Sequence, residues 1–145
     1  MDTFDFNIFE FTRVVGRNMQ MPTLALALLK KHNLLERVEK QKFVNFISHI
    51  YNLYFRSVDY HNDVHASDVT QHVHLMMHQG MAARAHFNEL DRLCMIVAAL
   101  CHDVRHDGFN NRYHVVTKSH LFLKFGAEHV QECFHVDQTL KLMER

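Results

Sequence analysis

Proline occurs once in 145 residues, glycine four times and tryptophan not at all. So few chain breakers exclude long linkers and low-complexity tracts. Cysteine is nearly as scarce: three residues form no C-x-x-C pair, which leaves neither a disulfide framework nor a cysteine-based zinc ribbon. Cys94 and Cys101 sit seven apart in 93-LCMIVAALC-101, a spacing that predicts reduced thiols on one buried helical face. Excess charge is absent as well. Sixteen basic side chains balance sixteen acidic ones, which argues against a nucleic-acid partner or a polybasic membrane patch. The longest apolar run, 93–101, falls far short of the roughly 20 residues that span a bilayer. The start, MDTFDFNIFEF, lacks the basic n-region of a signal peptide. These absences predict a soluble cytoplasmic protein with no transmembrane segment. At 48% apolar, the chain is sized for one domain with a core.

What is present reads as helix almost throughout, and the expected fold class is all-α. Residues 4–15 set Phe, Ile and Val among acids and Asn. A turn over Gly16–Met21 is expected to lead into a helix at 22-PTLALALLKKH-32, with Pro22 in its first turn. From Glu36 to Phe55, a stripe including Val38, Phe43, Phe46, Ile47, Ile50, Tyr51 and Tyr54 predicts a core-facing helix. A helix over roughly 61–79 should end at Gly80, and Asn88 with Asp91 marks the start of a buried helix over 89–102. The polar 105-RHDGFNNR-112 reads as a loop. Ser119 caps a helix to about 129, and a last helical piece spans 137–145 without a stop signal.

Histidine is the unusual abundance, at fourteen residues. Three pairs have the four-residue spacing that shares a helix face: His61/His65, His74/His78 and His102/His106. His74/His78 has no carboxylate beside it and reads as a surface pair. His32, His49, His72, His86, His114, His120 and His129 have no telling context either. The other two pairs have company, because Asp68 follows His65 by three and Asp103 follows His102 directly. Neutral imidazole offers a lone pair to a borderline metal such as zinc, and a carboxylate adds charge and can bridge two ions. Neighbouring helical side chains point about 100° apart, so His102 and Asp103 can share a metal only at a helix end. On spacing alone, a metal site and a set of polar core or surface residues both remain open.

The surrounding residues narrow this. The stretch 102-HDVRHDGFNNRY-113 resembles His-Asp-apolar-x-His-x-Gly-x-x-Asn, and 60-YHNDVHASDVTQ-71 resembles Tyr-His-Asn-x-x-His-Ala-x-Asp-Val. Both are hallmarks of the class I 3′,5′-cyclic nucleotide phosphodiesterases, members of the HD-domain superfamily. Further on, 117-TKSHLFLKFGAEHVQECFH-135 is similar to the family's Ser-x-Leu-Ala-x-x-Tyr segment followed by Val-Leu-Glu-x-His-His. The resemblance covers residues 1–145 but only the N-terminal portion of the family's catalytic domain, so a single incomplete domain is expected.

The resemblance implies hydrolysis of cAMP or cGMP to the 5′-nucleotide, with a metal-bound hydroxide as nucleophile. His65, His102 and Asp103 match ligands of the tight metal, usually zinc, and Asp103 should bridge to a second ion, magnesium or manganese. His61 matches the general acid that protonates the leaving O3′. His106 and Glu132 match residues that order water around the second ion, and Glu132 is expected to orient His61. Arg105, Asp107 and Phe134 depart from the family's usual residues. The family's last metal-ligating Asp, its purine-reading Gln and its aromatic clamp match no residue here. Two further readings stand beside this one: a truncated binding module, homodimeric through exposed core, and another metal phosphohydrolase of the HD superfamily.

Overall fold

The computed structural model describes residues 1–79 and 87–144, and among these the secondary structure is entirely helical. Eight α-helices follow in order: α1 (Ile8–Val15), α2 (Arg17–Lys31), α3 (Lys40–Leu53), α4 (Asp63–His78), α5 (Glu89–Cys101), α6 (Asn111–Val116), α7 (His120–Phe125) and α8 (Val130–Met143). A 3₁₀ turn, Leu35–Arg37, precedes α3. The expected stop at Gly80, and His86, lie outside the described residues.

Several boundaries move for identifiable reasons. α1 begins only where the Asn7 side chain accepts from the Phe9 and Glu10 amides, and it ends at Gly16, whose φ of 83° suits glycine. α2 then starts at Arg17, five residues before Pro22, so the expected Gly16–Met21 turn is helix. Long-range anchoring decides this: Arg17 and Gln20, three apart on one face, both reach the Asp63 carboxylate at 2.7 and 3.2 Å. That ion pair outweighs the one backbone bond lost at Pro22. Downstream, Gly126 (φ 84°) ends α7 early, and left-handed His129 (φ 54°) restarts the chain as α8 at Val130, seven residues before the expected last piece. The 105–112 loop likewise gives way to α6 at Asn111, with Asn110 capping the Tyr113 amide.

α2 lies at the centre, with Leu24, Leu28 and Leu29 fully buried against Ile47 and Ile50 of α3 and Ile96 and Leu100 of α5. Each such side chain contributes about 1.5–3 kcal/mol when buried. The expected capping box is formed: Asn88 accepts from the Asp91 amide, and Asp91 accepts from the Asn88 amide. Cys94 and Cys101 do share a face, but that face is covered at one end only. Both line a trough of about 610 Å³ between α5 and α8, where Cys101 is buried and Cys94 is exposed. Cys133 is exposed as well, so the expectation of core thiols holds for Cys101 alone.

Three bland histidine readings are also overturned, the first at His32, which is buried against His74. His74 is not a surface residue: it is fully buried, 2.9 Å from both His32 Nε2 and Asp2 Oδ1. His114 is buried too, against Ser119 and Gln131.

Candidate metal centre

α4 and α5 form a hairpin whose free ends meet. One end is the start of α4. There Asn62 accepts from the Val64 and His65 amides, while its own amide group holds the carbonyls of Val58 and Asp59 at 3.0 Å. This double grip fixes the turn before the helix. His61 consequently lies outside α4, not on its face as expected, and its direction is set across the cleft: His61 Nδ1 donates to Asp103 Oδ2 at 2.6 Å. His65 occupies the first turn of α4, its ring 4.4 Å from that of Tyr60.

The other end is the finish of α5. His102 is the C-cap residue, which gives the helix-end placement that adjacent His and Asp require. The chain then turns tightly through Asp103 and His106, passing left-handed Arg105 (φ 62°) and Gly108 (φ 91°). Asp103 Oδ2 thereby sits 2.6 Å from His61, 3.1 Å from His102 Nε2 and 3.6 Å from His65 Nε2. Two groups with potential ligand atoms all within 4.8 Å result: His65, His102, Asp103 and His61, Asp103, His106. Asp103 belongs to both.

The electrostatics follow from this crowding. Burial alone would raise the Asp103 pKa, but hydrogen bonds from His102 and His61 outweigh it and hold the carboxyl well below the usual range. Burial pushes His106 down to about 4, helped by neighbouring His61, and likewise lowers His65 and His135. For His102, burial opposes charge, yet Asp103 and the Ala99 carbonyl leave its pKa raised.

The donor set fits a divalent ion. His102 donates Nδ1–H to the Ala99 carbonyl at 2.8 Å, so its neutral form turns a bare Nε2 pair on the Asp103 carboxylate. His135 repeats the arrangement: Nδ1 donates to the Val104 carbonyl at 2.7 Å. Its buried Nε2, without a hydrogen-bond partner, lies 3.9 Å from Asp103 Oδ1. Lone pairs and a carboxylate aimed at one another repel unless a proton or a metal cation lies among them. Two imidazoles and a carboxylate with positions left open suit zinc. His106 differs: its Nδ1 accepts the Gly108 amide at 3.0 Å, so the neutral ring presents Nε2–H and serves as a donor. Glu132 is exposed and accepts from Asn111 at 2.9 Å, and the carboxylate partner of His61 is Asp103.

Sequence reasoning left His135 and Asn111 without roles. His135 stood out only as the last residue of the segment similar to Glu-x-His-His. Asn111 links Glu132 to the α8 amide of Gln131, a contact that only the tertiary fold reveals.

Residues 60–145 match the family model for 3′5′-cyclic nucleotide phosphodiesterase, and the chain belongs to that family. It is 31% identical over 150 residues to the human dual specificity calcium/calmodulin-dependent 3′,5′-cyclic nucleotide phosphodiesterase 1B, covering 99% of this chain and 27% of that protein. It is 27% identical to the probable 3′,5′-cyclic-AMP phosphodiesterase pde-4 of Caenorhabditis elegans, with 99% and 21% covered. A Dictyostelium discoideum protein, 3′,5′-cyclic-AMP phosphodiesterase 4, is 27% identical, with 97% and 13% covered. The chain thus spans about a quarter or less of the length of these relatives. No described helix is long and apolar enough to cross a membrane.

Proposed function

We propose that this chain supplies the metal-holding and proton-donating wall of a 3′,5′-cyclic nucleotide phosphodiesterase, acting on cAMP or cGMP. One observation carries the reading: Asp103 belongs to both histidine groups, facing His65 and His102 on one side and the proton donor His61 on the other. His65, His102 and Asp103 would hold a zinc ion, and Asp103 would reach a second ion, magnesium or manganese. When bound, such ions neutralise phosphoryl oxygens and lower the pKa of water.

The chain's own groups account for the remaining chemistry. Water oxygen bonds to phosphorus, the P–O3′ bond breaks, and O3′ leaves with a proton. His61 in its imidazolium form would be the donor of that proton: Asp103 accepts its Nδ1–H, and Nε2–H is the one free to serve O3′. The proton shed by the attacking water replaces it. A positioned acid of this kind contributes about 10²- to 10⁴-fold in rate. His106, ring-stacked on His61 at 4.0 Å, offers Nε2–H to solvent in the site. Glu132, held by Asn111, adds an acceptor on the α8 side.

Elemental analysis of the purified chain beside a His65→Ala/His102→Ala variant tests the reading. Near-stoichiometric zinc in the wild type and none in the variant is expected, followed by cyclic nucleotide hydrolysis with added Mg²⁺ or Mn²⁺. Metal-free but folded wild-type protein would overturn it. A second reading, self-association, is favoured by the α5/α8 trough, whose rim residues Val136, Leu140 and Met143 are exposed. Sedimentation would show a dimer under that reading.

A further inference from the structure

The segment 103–110 carries Asp103 and His106, yet it has no regular secondary structure and two left-handed residues, Arg105 and Gly108. Such a backbone keeps one shape only if tertiary contacts hold it. The contacts come from one stripe of α8. His135 takes the Val104 carbonyl at 2.7 Å. Arg105 donates to Gln138 at 2.8 Å and lies over the Phe134 ring at 5.7 Å. Gln131 Nε2 lies 2.9 Å from both Asp107 Oδ1 and the Phe109 carbonyl. Its backbone amide donates to Asn111 Oδ1 at 2.8 Å.

The Gln131 amide group meets three acceptors with its two protons, because His114 Nε2 lies 3.0 Å from the same nitrogen. His114 is held in turn by Ser119 Oγ, 2.9 Å from its Nδ1. Phe109 N–H reaches Asp107 Oδ1 at 3.1 Å. One carboxylate oxygen therefore gathers two donors, and Gln131, buried at 4% exposure, is the one that ties it to α8. Arg105, Asp107 and Phe134, the residues that depart from the family pattern, turn out to lie in this one interface: Arg105 faces Phe134, and Asp107 faces Gln131.

We propose that Gln131 is a positioning residue: it latches the 103–110 loop onto α8 and so sets Asp103 and His106 for metal and water. This rests on the metal-centre reading above, and the test separates the two. Gln131→Leu keeps the volume and removes both side-chain bonds, whereas Asp107→Asn keeps the oxygen that gathers the donors. Amide exchange at Gly108 and Phe109, read by NMR on metal-free protein, reports the loop alone; Zn²⁺ titration reports the site. Gln131→Leu is expected to speed exchange at both amides at least tenfold while Ile96 in the core keeps its rate. It should also weaken zinc about 10- to 100-fold, the usual range for residues that orient ligands. Asp107→Asn should stay near wild type in both. A lowered melting temperature for Gln131→Leu with unchanged loop exchange would make Gln131 a packing residue and overturn the latch. Faster loop exchange with unchanged zinc affinity would overturn its positioning role. Wild-type protein that takes no zinc defeats the metal-centre reading and the positioning role with it, whereas zinc bound equally by both forms leaves that reading standing and defeats the role alone.

Discussion

Among the described residues, two aspartates each sit in a group of several histidines, and the two groups are wired oppositely. In the first, Asp2, His74 and His32 form a line: His74 Nε2 meets Asp2, and His74 Nδ1 meets His32 Nε2, each at 2.9 Å. Neutral rings satisfy such a line end to end, since each shared nitrogen pairs one proton with one lone pair. In the second, His61, His65, His102 and His135 converge on Asp103, and at His102 and His135 the backbone carbonyls of Ala99 and Val104 claim the only proton of the neutral ring. A line closes on itself, whereas convergence leaves electron pairs facing a carboxylate unless a proton or a cation lies between them. The same residue types thus make a structural tie in one place and the proposed cation site in the other.

The sharpest way to break the comparison is to remove one ring from each. His102→Ala should lower zinc affinity by more than about 100-fold in a calorimetric titration, because a ligand is lost. His74→Ala should leave zinc affinity within about twofold. It should instead cost about 2–4 kcal/mol in denaturant unfolding, from the cavity and the stranded partners of a fully buried side chain.

Acid gives a smaller, graded effect. Burial, then His74 and Arg92, hold His32 down to about 4 from an ordinary 6.5, and burial likewise lowers His74 although Asp2 pulls it upward. The folded line therefore binds fewer protons than the unfolded chain. Its contribution to stability is complete above the unfolded value of 6.5 and is lost as pH falls toward 4. A His32→Leu variant should flatten the pH–stability curve in this window by on the order of 1 kcal/mol. If the two curves run parallel, His32 is not a source of the acid sensitivity. The smallest change is at the rim. Lys31 pairs with Asp2 where both are partly exposed, so Lys31→Ala should alter unfolding free energy by about 0–1 kcal/mol.

How far the sequence foretold this depends on whether the information was local. The all-helical class was legible from periodicity, and the Asn88–Asp91 box from four adjacent residues. His61, His65, His102, Asp103 and His106 stood out through spacing and motif, and the fold brings those five together. Long-range partners were not legible. Nothing near Pro22 announces that Arg17 and Gln20 will find Asp63 and extend α2 backwards. His74 looked superficial because its partners, Asp2 and His32, lie 72 and 42 residues away. His114 and Gln131 escaped notice for the same reason: their network closes only after α8 folds over the loop. The Glu132–His61 expectation came from resemblance, and here Glu132 bonds Asn111.

The Asn62 cap has one more consequence. It starts α4 at the cleft, while α5 ends there, so the two helices bring opposite poles to the same few ångströms. Each pole is worth roughly half an elementary charge, positive at the start of α4 and negative at the finish of α5. The cleft is therefore polarised before any ligand arrives: an anion is drawn toward the His65 side and a cation toward the His102 side. The metal-bound phosphate diester proposed as ligand has a matching polarity, and the two helix ends would help to orient it.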